Sequence, residues 1–281
     1  MGEFWKGTLL EGRAAGHYFI GVFFLGIGLS LLLHHARWPR RRPLLAGPAP
    51  GSSRCGARPS FFIAWLAAAL VYLLASLTTY VSLSYMRGSA SYHIVIFSAW
   101  LFPPVLWLCL PRSESDVASG YIAASFAFAL LVTGMSLESH GMHQGEMESK
   151  AHLWTTRFGY AGAALQGAAT LSLRVRGGAA VGDALHALSC ACTALLGWVL
   201  LAAGVFVYRD ILDAGADQSA EAWMGAIHSV NLSVCVAVLL VVALAGAGRA
   251  LAGATPLGQR GAFPYHQVEM PSVADDDIVH G

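Results

Sequence analysis

His140, Glu148 and His152 are the residues of this chain best placed to do chemistry. They fall in Gly134–Trp154 (GMSLESHGMHQGEMESKAHLW), which also carries His143, Glu138, Glu146 and Lys150 between long apolar runs. Glu148 and His152 stand one helical turn apart and share a face of any helix that begins near Glu146. Neutral imidazoles with a carboxylate are the ligand set of zinc and of non-haem iron. Four further histidines belong with them once the elements that carry them are placed, or are set aside by that placement: His17, His93, His228 and His186.

Those elements are membrane spans. The chain has 281 residues, 56% hydrophobic and 12% charged, against about 25% charged in an average soluble domain. So few charges cannot cover a soluble surface, and the lipid bilayer is the expected partner. A net charge of +1 offers no basic field for nucleic acid. The five cysteines do not read as a disulfide framework. Cys190-x-Cys192 has the look of a metal or redox pair, but its Ala- and Leu-rich setting points to small buried residues.

Apolar runs predict an all-α integral membrane protein, a bundle of seven transmembrane helices at about 17–33, 61–83, 92–110, 117–137, 151–173, 183–207 and 223–247. A short N-terminal segment, 1–16, precedes them. Residues 34–60 read as a basic, Pro-rich loop and residues 248–281 as a disordered tail. Pro103-Pro104 is expected to kink the third span. The fifth (GYAGAALQGAATLS) is the least apolar and richest in small residues, which places it inside the bundle. Tyr18, Trp65, Tyr92, Trp154, Tyr208 and Trp223 read as interface anchors.

The basic residues orient the bundle. The side of the first loop holds Arg37, Arg40, Arg41, Arg42, Arg54, Arg58, Arg112, Arg174, Arg176, Arg249 and Arg260; the other holds Lys6, Arg13, Arg87, Lys150 and Arg209. The positive-inside rule then sets the N-terminus outside or lumenal and the C-terminus cytoplasmic, in the endomembrane system or the plasma membrane. Arg157 falls within a span, where a charge costs on the order of 3 kcal/mol, so it is expected to face protein or water.

With this topology His17, His93, His140, His143, His152 and His228 share the non-cytosolic side. His186 starts the sixth span from the cytosolic side, and His34 and His35 fall in the loop. One histidine at a membrane boundary is ordinarily a hydrogen-bonding anchor. Six on one side point to a shared site. The candidate metal ligands are His17, His93, His140, Glu148, His152 and His228, with a zinc or iron ion as the candidate cofactor.

Several of these residues resemble the transmembrane protein 45 family, also catalogued as domain-of-unknown-function family 716. Gly16-His17, Gly21, Phe24, Gly28 and Leu29 are similar to its opening GH-x-x-PG pattern, with Ile20 in place of proline. His93 matches a family histidine, and His140…Glu148-x-x-x-His152 is similar to the family's H…[DE]-x-x-x-H segment with the same His-to-His separation. Gln144 replaces a histidine common in plant members, and His228 with Asn231 resembles the polar turn of the last span. The resemblance, from about Gly16 to Val242, implies a seven-helix membrane protein and no established biochemical activity.

Three function classes stay open at this point. The cluster could bind a metal or brace the bundle of a non-enzymatic protein. A metal-dependent membrane enzyme, a lipid hydrolase or oxidoreductase, would use Glu148 as ligand or general base, since no serine or cysteine nucleophile stands out. A transporter ranks third, because few polar residues besides Ser76, Thr78, Thr79 and Gln166 lie near the midplane.

Overall fold

The computed structural model describes residues 2–37, 57–83, 87–110, 116–142, 146–172 and 179–204, with 232, 234–236 and 238 beyond them. Six helices account for nearly all of this: α1 (Gly2–Arg37), α2 (Ala57–Ser82), α3 (Arg87–Cys109), α4 (Asp116–Gly141), α5 (Glu146–Ser172) and α6 (Ala179–Ala203). They take up the first six expected spans. The seventh span, most of the basic loop and the C-terminal tail lie outside the described residues.

Five helices are long and apolar enough to cross a membrane among the described residues: Gly16–His35, Ser60–Ser82, Arg87–Cys109, Gly120–Gly141 and Val181–Ala203. The protein is therefore an all-helical, integral, multi-pass membrane protein. The expectation of seven spans is met to the extent of these five. Helix α5 falls short in apolarity because Glu146, Glu148, Lys150, His152 and Arg157 crowd its first turns.

Three boundaries differ from expectation. Residues 2–16 are not a separate segment but continue α1. At its other end α1 runs through His34 and His35 to Arg37, so both histidines leave the expected loop for the helix. Likewise Glu138 is helical, because α4 continues through His140 to Gly141. Hydropathy reports where apolar residues stop, whereas the backbone hydrogen-bond ladder continues until something breaks it.

Neighbouring helices pack in the order α2–α3–α4–α5–α6–α1. Helix α6 is the most buried of the five spans, at 67% against 22% for α2. Glycines set its closest crossing. A Cβ on Gly28 would run into the Ala194 backbone nitrogen, and one on Gly197 into the Leu25 backbone nitrogen, so α1 and α6 meet backbone to backbone. Gly134 and Gly159 bring α4 and α5 together in the same way. Small residues are how helices in lipid gain packing contacts without a hydrophobic driving force.

An aromatic core joins α1 to α4. Trp100 packs against Phe24 at 5.0 Å between ring centroids and against Trp65 at 5.6 Å, while Phe62 stacks on Trp107 at 4.3 Å. The Trp100 indole N–H donates to Thr133 Oγ1 at 2.8 Å, and Thr133 donates in turn to the Ala129 carbonyl at 2.7 Å. Trp65 is thus no interface anchor: it is 3% exposed, inside this core. Outward faces carry Phe19, Val22, Val71, Leu74, Val95 and Phe128, as lipid contact requires.

Candidate functional site

Four helices deliver one histidine each to the same end of the bundle. His140 at the end of α4 meets His152 near the start of α5, edge to face, with 5.0 Å between ring centroids. His17 of α1 also meets His152, edge to face, with 5.5 Å between ring centroids. His93 of α3 meets His140 at 6.2 Å. The result is a row, His93–His140–His152–His17, in which His140 and His152 are buried and the outer two are partly exposed. Tyr92, expected as an interface anchor, packs against His140 at 5.3 Å.

Local bonds tie together the helix ends that carry the two central rings. Ser149 Oγ donates to the Gly141 carbonyl at 2.7 Å, tying the first turns of α5 to the last of α4. The Met142 N–H donates to the Glu138 carbonyl at 3.1 Å and closes α4. Thr155 Oγ1 donates to the His152 carbonyl at 2.7 Å. Tyr160 of α5 donates to Glu138 Oε2 at 2.5 Å, a second tie between the same two helices.

Two glycines make room for the row, and sequence reasoning gave neither this role. A Cβ on Gly141 would stand 2.8 Å from the His152 Cβ, and one on Gly204 would stand 3.3 Å from the His17 Cβ. Gly141 is the last residue of α4, and glycine within a helix ordinarily weakens it. Its function in the fold is to let His152 approach. Nothing in a single sequence distinguishes a glycine that breaks a helix from one that clears space beside it.

Of the six residues expected to bind a metal, the structure brings together His17, His93, His140 and His152. Glu148 lies in the first turn of α5, but its side chain is outside the described residues. His228 is outside them altogether, as is His143. Arg157 is exposed, with its guanidinium 5.6 Å from the Trp154 ring centroid.

The opposite face also differs from expectation. His186 does not stand there by itself: His35 lies beside it, with 6.0 Å between ring centroids.

Chemically, the row offers neutral nitrogen donors in a setting of low polarity. Two imidazoles on one tetrahedral zinc ion, with Zn–N of about 2.0–2.1 Å, have ring centroids about 5 Å apart. The His140–His152 and His152–His17 separations are close to that. As the rings stand they meet through their edges, and among the described residues no group of three His, Cys, Asp or Glu side chains is arranged to hold a metal ion. Co-ligation would require ring rotation about the side-chain torsions with little movement of the helices.

No family model and no curated protein matches this chain. What its own helices establish is an integral membrane protein that crosses the bilayer several times, with four histidines gathered at one end.

Proposed function

We propose that the histidine row binds a divalent transition-metal ion, zinc or iron, on the non-cytosolic side of the membrane. The supporting observation is the spacing: His152 lies 5.0 Å from one histidine and 5.5 Å from another, centroid to centroid, from three different helices. Glu148, one turn before His152, and His228 are the further ligands in this reading, and Tyr92 shields one side. We place the chain in the transmembrane protein 45 family on Gly16-His17 and His140…Glu148-x-x-x-His152.

The test is elemental analysis of the full-length protein purified in detergent, wild type beside His140→Ala/His152→Ala. About one zinc or iron ion per chain is expected in the wild type and none in the variant. If neither holds metal after incubation with zinc or ferrous iron, the row is a structural brace and the reading fails.

A further inference from the structure

Helix α5 turns an unusual face outward. Its exposed residues are Leu153, Arg157, Ala161, Ala164, Ala168 and Leu171, three or four apart and so on one side of the helix. Between the two leucines that face is a cation and small side chains. Helix α2, by contrast, exposes Leu70, Val71, Leu74, Leu77 and Val81. Lipid tails do not call for small residues, whereas a helix approaching closely does.

The charge opposite to Arg157 stands on the neighbouring ridge. Glu138 of α4 is exposed as well, and Tyr160 donates to its Oε2. That bond holds the carboxylate in place and leaves its other lone pairs free to accept. Among the described residues neither charge has an ion-pair partner, and they do not pair with each other; the Arg157 guanidinium lies over Trp154 instead.

The two charges also share a depth. Helices α4 and α5 run antiparallel, with Gly134 against Gly159 and Gly141 against His152. This register brings Glu138 level with Thr155, so Arg157 is two residues, about 3 Å, deeper. It brings Leu131 level with Gly162 and Met135 level with Phe158. Both Leu131 and Met135 are exposed, so a bulky ridge on α4 runs beside the small ridge on α5.

Depth matters because two copies inserted with one topology pair about a two-fold axis along the membrane normal, which leaves every residue at its own level. Such an interface must be complementary to itself. An axis between the two ridges lays α4 of each copy on α5 of the other. Arg157 of one copy then meets Glu138 of the second, and the same pair forms again in reverse. Leu131 and Met135 enter the space beside Ala161 and Ala164. Charges that are costly one by one in lipid are neutralised in pairs.

We propose that the α4–α5 face is a homodimer interface, held by two reciprocal Arg157–Glu138 ion pairs and by Leu131 and Met135 packing on Ala161 and Ala164 of the second copy.

The experiment is resonance energy transfer between donor- and acceptor-labelled full-length chains in vesicles, diluted stepwise with lipid. A chelator is present throughout, so that no metal bridges the copies. Wild type is expected to associate. Arg157→Glu alone and Glu138→Arg alone should each self-associate at least about tenfold more weakly, because like charges then face each other. Mixing the two variants should restore transfer to the wild-type level, since the mixed pair sets opposite charges together at both contacts. Ala161→Trp should weaken association about tenfold by overpacking, whereas Ala75→Trp, on the exposed face of α2, should leave it unchanged. Wild type that stays monomeric at every dilution overturns the proposal whether or not any variant folds. A mixture no more associated than its separate components overturns it too and assigns the two charges to lipid head groups.

Discussion

The Cβ of His152 occupies the space that a side chain on Gly141 would need: a Cβ there would lie 2.8 Å away. The end of α4 and the start of α5 are thereby fitted to each other through a residue with no side chain. His140 immediately precedes this glycine, so the contact that admits His152 also sets the His140–His152 pair at 5.0 Å. Control of the row therefore rests on a residue that carries no chemistry itself.

Gly141→Ala is expected to displace His152 and to cost about 1–3 kcal/mol, the usual range for overpacking. Metal content should fall as in the histidine variants while helical circular dichroism is retained. Gly167→Ala, away from the row on α5, is the control, since among the described residues no atom lies within 4 Å of a Cβ added there; its metal content should match the wild type.

Gly28→Ala and Gly197→Ala should disrupt the α1–α6 crossing, where an added Cβ would meet backbone nitrogen rather than a yielding side chain. A loss of about 3 kcal/mol or more is expected, at the upper end for overpacking, read as a lowered unfolding midpoint in detergent. Gly26→Ala on α1, where among the described residues nothing lies within 4 Å of an added Cβ, should leave the midpoint unchanged or raise it, because alanine favours helix over glycine by roughly 0.5–1 kcal/mol.

Trp100→Phe and Trp65→Phe remove the same volume from the aromatic core but differ in one bond. Trp100 donates to Thr133, whereas the buried Trp65 indole nitrogen has no hydrogen-bond partner among the described residues. Trp100→Phe should therefore be the costlier by about 0.5–1.5 kcal/mol, toward the lower figure if the bond is as weak as most inside membranes. Equilibrium unfolding of the two variants side by side measures the difference.

Removing metal supplies a further check on the row. A ligand present at about 100 times its dissociation constant stabilises the folded state by about 2.7 kcal/mol. Zinc added to chelator-stripped wild type should raise its unfolding midpoint. The same addition should leave His140→Ala/His152→Ala unmoved. Equal shifts in both proteins would place the zinc elsewhere.

Much of the site was legible because depth in a membrane can be read along one dimension. Hydropathy locates the apolar runs, and a rise of 1.5 Å per residue assigns each histidine to one end or the other. His17, His93, His140 and His152 could be grouped in this way without knowing which helices touch. The small residues of α5 likewise announced a helix packed between neighbours, as α4 and α6 prove to be.

Other features were hidden because hydropathy says nothing about rotation or adjacency. Trp65 lies near a span end, where an interface anchor and a core residue look alike; only the position of Trp100 beside it separates the two. His35 sits where apolarity stops, yet α1 continues past it and turns it toward His186. Cys190 and Cys192 form a pair in sequence but not on one face of α6, and the partner of Cys190 is His186, a turn away.

The sequence by itself determined that this is a helical membrane protein and that His17, His93, His140 and His152 share one end of it, since both follow from apolar length and helical rise. Tertiary structure decided which histidines touch. That depends on which helices are neighbours and how each is turned about its axis, and those are set by close approaches at Gly28, Gly134, Gly141 and Gly197, where the absence of a side chain means something only beside the helix that fills the space.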